Sequence, residues 1–149
     1  MMEQMDALYR EVILDHFKDP RNVGELPNPT VRAEGTNPLC GDEIAFSLYL
    51  DGDRVRDIRF QGKGCAISQA TASMLTEEIK GKSLAEVRQL IQAMKGLMQG
   101  QEPDPSVDLG NLETLAGVRK FPVRIKCAAL SWNVLEQGLQ RHHEEGRAP

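Results

Sequence analysis

The first regular pattern along the chain is an apolar face at helical spacing. Between Asp6 and Phe17 this spacing predicts a helix, with Asp6 as its N-cap. The face consists of Leu8, Tyr9, Val12, Ile13 and Phe17. Pro20 and Gly24 end the pattern. Pro27 and Pro29 then make the following stretch a loop or an edge segment.

The next pattern alternates, which predicts two strands joined by a tight turn. The alternating apolar residues of the first strand are Ile44, Phe46, Leu48 and Leu50. Asp51-Gly52 is a sequence typical of a type I′ hairpin. In the returning strand Val55 is out of phase with Ile58 and Phe60, so we expect a bulge or a turn at Val55.

Helical spacing returns after the second strand and continues to the end of the chain. It predicts a helix from Ala66 to Ile79. Ser83 and Glu86 form a capping box that begins another helix, which Gly96 ends. Residues 100–110 have no periodicity and predict a loop.

Two helical pieces complete the chain, a short one around residues 112–118 and a long one from about Ile125 to His143. Because the strands come early and the helices late, we expect an α+β fold, with helices packed on one face of a small antiparallel β-sheet. We expect residues 1–149 to form a single domain, since the length suits one core.

The composition excludes several classes of function. Hydrophobic residues make up 40% and charged residues 27% of the chain, and the formal net charge is −4. A net negative charge argues against binding to nucleic acid or to an anionic membrane. No apolar run approaches the roughly 20 residues that span a bilayer. The amino terminus resembles no export signal, so we expect a cytoplasmic protein.

Three cysteines are the candidate chemical groups, and they form no C-x-x-C pair. Cys65 follows a Gly-rich turn at the start of one predicted helix, and Cys127 falls in the first turn of the last helix. A helix N-terminus favours the thiolate, which is the form that binds metals. Cys40 lies in a loop with no helix beside it, and Asp42 follows two residues later.

Three thiolates and one carboxylate would suit Zn²⁺ or the iron of a cluster. Arg124, Lys126 and Lys63 could compensate the negative charge around these ligands. The alternative from the residues alone is that the cysteines are buried, inert core thiols, because free cysteine often only packs. The histidines, His16, His142 and His143, are expected at the surface on helix ends.

Four long runs of the sequence resemble the U-type iron–sulfur cluster assembly scaffold family (IscU and the NifU N-terminal domain), and most closely its SufU branch. They are LYREVILDHFKDPRNVG from Leu8, NPLCGD from Asn37, FQGKGCAISQATAS from Phe60 and FPVRIKCAALSW from Phe121. The resemblance covers most of the chain in the right order. It implies a U-type scaffold fold in which Cys40, Cys65 and Cys127 meet at one end and Asp42 tunes or ligates the metal.

Three departures distinguish this chain from the scaffold branch of that family. Lys126 stands where a histidine precedes the third cysteine, and the run from Phe121 to Arg124 replaces a Leu-Pro-Pro-Val-Lys stretch. The segment between Cys65 and Cys127 is also longer, with an extension over residues 96–117. All three features are similar to the SufU branch, whose members resemble zinc-bound sulfurtransferases.

The resemblance implies a partner, a SufS-like cysteine desulfurase that hands over persulfide sulfur, and downstream iron–sulfur assembly proteins. Our leading hypothesis is that Zn²⁺ is bound and that Cys40 leaves the metal to accept the sulfur. The protein would then be a zinc-dependent sulfurtransferase and not itself a desulfurase. One alternative is a scaffold on which an iron–sulfur cluster assembles and is transferred. Another is a structural zinc site in an interaction module.

Overall fold

The structure, a computed structural model, describes residues 7–38 and 41–147. Within these ranges, side chains are described for residues 10–38 and 41–145. The helices are α1 (Ala7–Lys18), α2 (Ala66–Ile79), α3 (Leu84–Met98), a 3-10 helix (Gly110–Lys120) and α4 (Pro122–Arg147). The strands are β1 (Val31–Asn37), β2 (Asp42–Asp51) and β3 (Arg54–Lys63).

The three strands form one antiparallel sheet in the order β1-β2-β3. One face is apolar and buried, with Ile44, Phe46 and Phe60 all about 1% exposed. Helices α2 and α4 pack against the sheet. Charged residues such as Glu34 and Glu43 are exposed. The expected α+β fold, a small antiparallel sheet with helices on one face, is confirmed. No helix in the described residues is long and apolar enough to cross a membrane.

Strand β1 was not predicted as a regular strand, because the prolines before it indicated a loop or an edge segment; in the structure it is an edge strand of the sheet. Its burial alternates, but only Val31 and Ala33 supply apolar side chains on the inner face. Gly35 and Asn37 take the remaining inward positions. The strand is recognisable only through its register with β2, in which Val31 pairs with Leu48 and Asn37 pairs with Asp42.

The hairpin between β2 and β3 is confirmed, but its predicted turn type is wrong. Asp51 pairs with Arg54, so the two loop residues are Gly52 and Asp53. Gly52 has a φ of +63°, whereas Asp53 is not among the residues with positive φ. One positive φ at the first loop position is typical of type II′, because type I′ requires two. The predicted bulge is confirmed by a register shift between Tyr49 and Leu50.

The helix predictions are largely confirmed. Helix α2 has the expected bounds, and the capping box of Ser83 and Glu86 begins α3. Helix α3 continues to Met98, two residues beyond the expected stop at Gly96. Helix α4 begins at Pro122, earlier than the expected Ile125. Proline is well suited to the first helical position, since its missing N–H would have no partner there.

Helix α4 approaches strand β1 so closely that glycine is required on both sides. A Cβ on Gly138 of α4 would lie 2.5 Å from the Cβ of Ala33. A Cβ on Gly35 of β1 would lie 2.6 Å from Cγ2 of Val134. Atoms at these distances would overlap, so any side chain at either glycine would push helix and sheet apart.

His16 and Phe17 correct two expectations about α1. His16 is buried, 1% exposed, and not on the surface. Its Nδ1 lies 2.7 Å from Oγ of Ser73 on α2, and its Nε2 lies 3.5 Å from Oε1 of Glu77. Phe17, expected on the packed face, is 42% exposed. The two side chains are adjacent on the helix and point in different directions. The imidazole of His16 faces polar groups of α2, and Phe17 points toward solvent.

Candidate metal centre

A carboxylate binds the N-terminus of α2. Cys65 is the N-cap of this helix, with an extended backbone (φ −74°, ψ 165°) and no capping hydrogen bond from its own side chain. The N–H of Cys65 instead donates to Oδ1 of Asp42 at 2.9 Å. A negative charge at a helix N-terminus is favourable, because free N–H groups and the helix dipole meet there.

Gly64 makes the contact between Asp42 and Cys65 possible. Its φ of +137° is unfavourable for residues with a side chain. A Cβ at this position would also clash with the carboxylate of Asp42, and it would come within 2.8 Å of the Asp42 Cα. The glycine before Cys65 is therefore needed both for the turn and for the close approach of strand β2.

Asp42 is completely buried, although it is a charged residue. It is the first residue of β2 and pairs with Asn37, the last residue of β1. With Oδ1 held by the helix, Oδ2 lies 3.9 Å from Sγ of Cys65. A buried carboxylate is costly unless it is paired or coordinates a metal. Its position therefore favours a ligand role over a solvated turn residue.

Cys127 reaches the same place from α4 and is 0% exposed. The expectation that it lies in the first helical turn is wrong, because α4 begins at Pro122 and Cys127 is one turn farther along. Its Sγ lies 3.7 Å from the carbonyl oxygen of Val123. Cys65 therefore lies directly at the N-terminus of α2, whereas Cys127 lies farther from the N-terminus of α4.

Asp42, Cys65 and Cys127 together form a cluster that could hold a metal ion. One ligand atom from each, a carboxylate oxygen and two sulfurs, lies within 4.8 Å of the others. The three come from β2, α2 and α4, so the fold assembles the cluster from distant parts of the sequence. Two thiolates and a carboxylate are donors that Zn²⁺ accepts, and thiolates also bind cluster iron.

Of the three cations that the sequence suggested, Arg124 interacts with both Cys65 and Cys127. Its own burial lowers its pKa, but hydrogen bonding to Cys127 and the charges of Cys65 and Cys127 raise the pKa above its usual value. Lys63 is 76% exposed and pairs with Glu43 at 3.0 Å. Lys126 is exposed on α4.

Cys40 lies outside the described residues. It belongs to the connection of residues 38–41 between the paired ends of β1 and β2. Asp42, which follows Cys40 by two residues, is one of the three clustered groups that could hold a metal ion. Because Cys40 is not among the described residues, the assignment of Cys40 as a ligand and as the sulfur acceptor stays a prediction.

Two features of the centre were missed from the sequence. The bond from the Cys65 N–H to Asp42 joins residues 23 apart, and no local pattern indicates it. The steric role of Gly64 was missed as well, although the glycines before Cys65 had suggested a tight turn. The signal available in the sequence was Asp42, which follows Cys40 by two residues and suggested a carboxylate ligand in addition to the thiols.

Comparison with known proteins gives a consistent result. Residues 8–128 match the profile of the family described as NifU-like N terminal domain. The chain is 51% identical over 142 residues to the zinc-dependent sulfurtransferase SufU of Bacillus subtilis (strain 168), covering 95% of each chain. It is 41% identical to the iron–sulfur cluster assembly scaffold protein IscU of Streptococcus pyogenes serotype M1, covering 94% of this chain and 87% of the relative.

A solved structure supports the same grouping. It is described as a putative iron–sulfur cluster assembly scaffold protein for the SUF system from Fervidobacterium islandicum AW-1. The TM-score is 0.83 at 37% identity, and the match covers 87% of this chain and 94% of that one. The family resemblance expected from the four sequence runs is therefore confirmed.

Proposed function

The chain belongs to the NifU-like N-terminal domain family of iron–sulfur cluster assembly proteins, and we propose that it is a zinc-dependent sulfurtransferase that accepts persulfide sulfur from a cysteine desulfurase. The observation that carries this proposal is the cluster of Asp42, Cys65 and Cys127, in which Asp42 and Cys127 are buried and Cys65 is partly buried. Its donors suit zinc. The 51% identity to a zinc-dependent sulfurtransferase favours this activity over a resident cluster.

Asp42, Cys65 and Cys127 would hold the Zn²⁺, with Cys40 as the fourth donor of a tetrahedral set. Bound zinc would keep the thiols deprotonated at neutral pH. The chain itself contributes the rigid part of the centre. The α2 N-terminus fixes Asp42, and the guanidinium of Arg124 offsets the negative charge of the two thiolates.

Cys40 would receive the sulfur, since it lies in the short connection before β2 whereas the other two cysteines belong to helices or their caps. Its thiolate would attack the terminal sulfur of the desulfurase persulfide. The S–S bond of that persulfide breaks, the desulfurase cysteine leaves as a thiolate, and Cys40 carries the transferred sulfur as a new persulfide. No external oxidant or reductant is needed, because one S–S bond replaces another.

Desulfurase turnover with and without this protein tests the proposal. The wild type should stimulate turnover, and Cys40→Ala should abolish the stimulation while Asp42, Cys65 and Cys127 still retain zinc. Mass spectrometry after the reaction should find one added sulfur on Cys40. Equal stimulation by wild type and variant would remove Cys40 from this role.

A scaffold for an iron–sulfur cluster is the second candidate function, and the 41% identity to an IscU scaffold protein favours it. Its ligands would be the same thiols, with Asp42 or an external group. Anaerobic reconstitution with iron and sulfide separates the two functions. A stoichiometric cluster that passes to an acceptor protein would support the scaffold, whereas retained zinc and no transfer would support the sulfurtransferase.

A further inference from the structure

A buried amide with no hydrogen-bond partner lies one helical turn from Cys65. Gln69 is on α2, and its backbone N–H donates to the carbonyl of Cys65 at 3.2 Å. Its side-chain Nε2 is buried and has no hydrogen-bond partner in the described part of the chain. A buried donor without an acceptor costs the free energy of removing that group from water. Such a group in a folded protein calls for a physical explanation.

The neighbours of this amide place it at the metal-centre end of the sheet. A Cβ on Gly62 of β3 would lie 3.4 Å from Nε2 of Gln69 and 2.8 Å from the carbonyl oxygen of Glu43. Glu43 follows the ligand Asp42 directly, and Gly62 is three residues before the ligand Cys65. Because Gly62 has no side chain, the amide can lie against the backbone where these two ligand-bearing segments meet.

We infer that Gln69 is a positioning residue of the metal centre, whose amide N–H donates to the sulfur of Cys65 when that sulfur is a metal-bound thiolate. The inference rests on the zinc site of the proposed function. Helical side chains lean toward the N-terminus of their helix, so the Gln69 side chain is directed toward the end of α2 that carries Cys65. A protonated Cys65 can donate its S–H to Asp42, and its Sγ lies 3.9 Å from Oδ2 of that residue. A thiol sulfur is only a weak acceptor, whereas a thiolate is a strong one, and it would supply the acceptor that Gln69 lacks.

This role gives a physical reason for a buried amide donor at the metal-centre end of the sheet. A glutamine that only filled space would be replaced without loss by an apolar side chain of similar size, which removes the unpaired donor. A donor to a metal ligand, by contrast, fixes the orientation of that ligand, and removing such a partner typically costs 10–100-fold in metal affinity. The two roles therefore agree that a Gln69→Leu variant keeps its zinc-free stability, and they differ in the zinc affinity that they predict for it.

Gln69→Leu tests the inference, with Gln89→Leu on the exposed side of α3 as a matched control. Zinc affinity is measured in the full chain by competition with a chelator, and the zinc-free protein is unfolded in parallel. We expect Gln69→Leu to bind zinc about 10–100-fold more weakly. Its zinc-free unfolding midpoint should be unchanged or higher. Gln89→Leu should leave zinc affinity unchanged.

Gln69→Glu is a second variant that keeps the length of the side chain, removes the N–H donors and should also weaken zinc binding. Zinc affinity unchanged in Gln69→Leu, or a zinc-free midpoint that falls along with affinity, would overturn the positioning role. A wild-type chain that binds no zinc would overturn the proposed function itself. The wild-type measurement therefore distinguishes the two failures.

Discussion

At the scale of single residues, Asp42 links the helix end to the metal centre. One oxygen accepts the N–H of Cys65, and the other faces its sulfur at 3.9 Å. The carboxylate is fully buried, so its charge is compensated by the helix N-terminus and, in our proposal, by the metal. The whole arrangement depends on the absence of a side chain at Gly64.

Gly64→Ala should therefore lower both the stability of the protein and its zinc content. The positive φ alone costs about 1–3 kcal/mol, and the new Cβ would in addition displace Asp42 from the cluster. Zinc per chain after dialysis and the unfolding midpoint in denaturant measure the two effects. Gly81→Ala is the control, because Gly81 also has a positive φ (+86°) but open space around its Cβ position. It should lose stability and keep its zinc. Equal zinc retention in both variants would contradict the role of Gly64.

The buried His16 makes stability depend on pH. Its burial, first, and the charge of Arg21, second, lower its pKa, while Glu77 and Asp15 act in the opposite direction. The unfolded chain takes up a proton near the ordinary pKa of 6.5, and the folded chain does so only at lower pH. The contribution of His16 is therefore fully present above about pH 6.5 and is lost as pH falls, by at most about 1.4 kcal/mol per pH unit.

His16→Gln should flatten this decline between pH 7 and lower values, because glutamine does not titrate. The free energy of unfolding from denaturant titrations at several pH values measures the slope. His143→Gln, at an exposed position of α4, is the control and should keep the wild-type slope. If the free energy of unfolding of wild type and of His16→Gln changes with pH in parallel, His16 is excluded as the source of the pH dependence.

At the scale of elements, the packing of α4 on β1 brings Cys127 to the strands that lead to Asp42. Gly138→Ala should destabilise the protein by about 1–3 kcal/mol, because its Cβ would overlap Ala33 and push the helix away. In Gly96→Ala the added Cβ meets the flexible Gln101 side chain, so higher helix propensity should leave this α3 variant neutral or more stable. Thermal unfolding of the two variants compares these effects. A destabilised Gly96→Ala together with a neutral Gly138→Ala would contradict the close packing of α4 on β1.

The elements also show what the sequence can and cannot predict. Strong periodicity and a capping box located α2 and the start of α3 correctly, because these signals are local. Strand β1 was predicted only as a loop or an edge segment, because its inner face carries few apolar side chains and its identity depends on pairing with β2. Cys127 was assigned to the first turn of the last helix, because a proline at position 122 can either interrupt a helix or begin one.

At the scale of the whole molecule, three segments far apart in sequence converge on one centre. The cysteines and Asp42 could be named from residue types and from the family resemblance. The burial of Asp42 and Cys127 and the contact of Asp42 with the α2 N-terminus could not, because both depend on how β2, α2 and α4 pack. Cys40 lies outside the described residues, so its place in the centre stays a prediction.

Metal removal should lower the stability of the whole domain, because a ligand that binds only the folded state stabilises it. At a free zinc concentration 100 times the Kd, this amounts to about 2.7 kcal/mol. Chelation should lower the Tm, and added zinc should restore it. Asp42→Asn keeps an acceptor for the Cys65 N–H but loses the charge, so its zinc-dependent shift in Tm should be smaller. A full shift in this variant would argue against Asp42 as a ligand.

The metal and labile-sulfide content of the protein as purified tests the central claim most directly. Zinc and iron are measured by elemental analysis, and acid-labile sulfide is measured on the same sample. A zinc-dependent sulfurtransferase should contain close to one zinc per chain, with neither iron nor labile sulfide. Iron and labile sulfide in near-stoichiometric amounts, with zinc absent, would contradict it and identify the centre as a cluster scaffold.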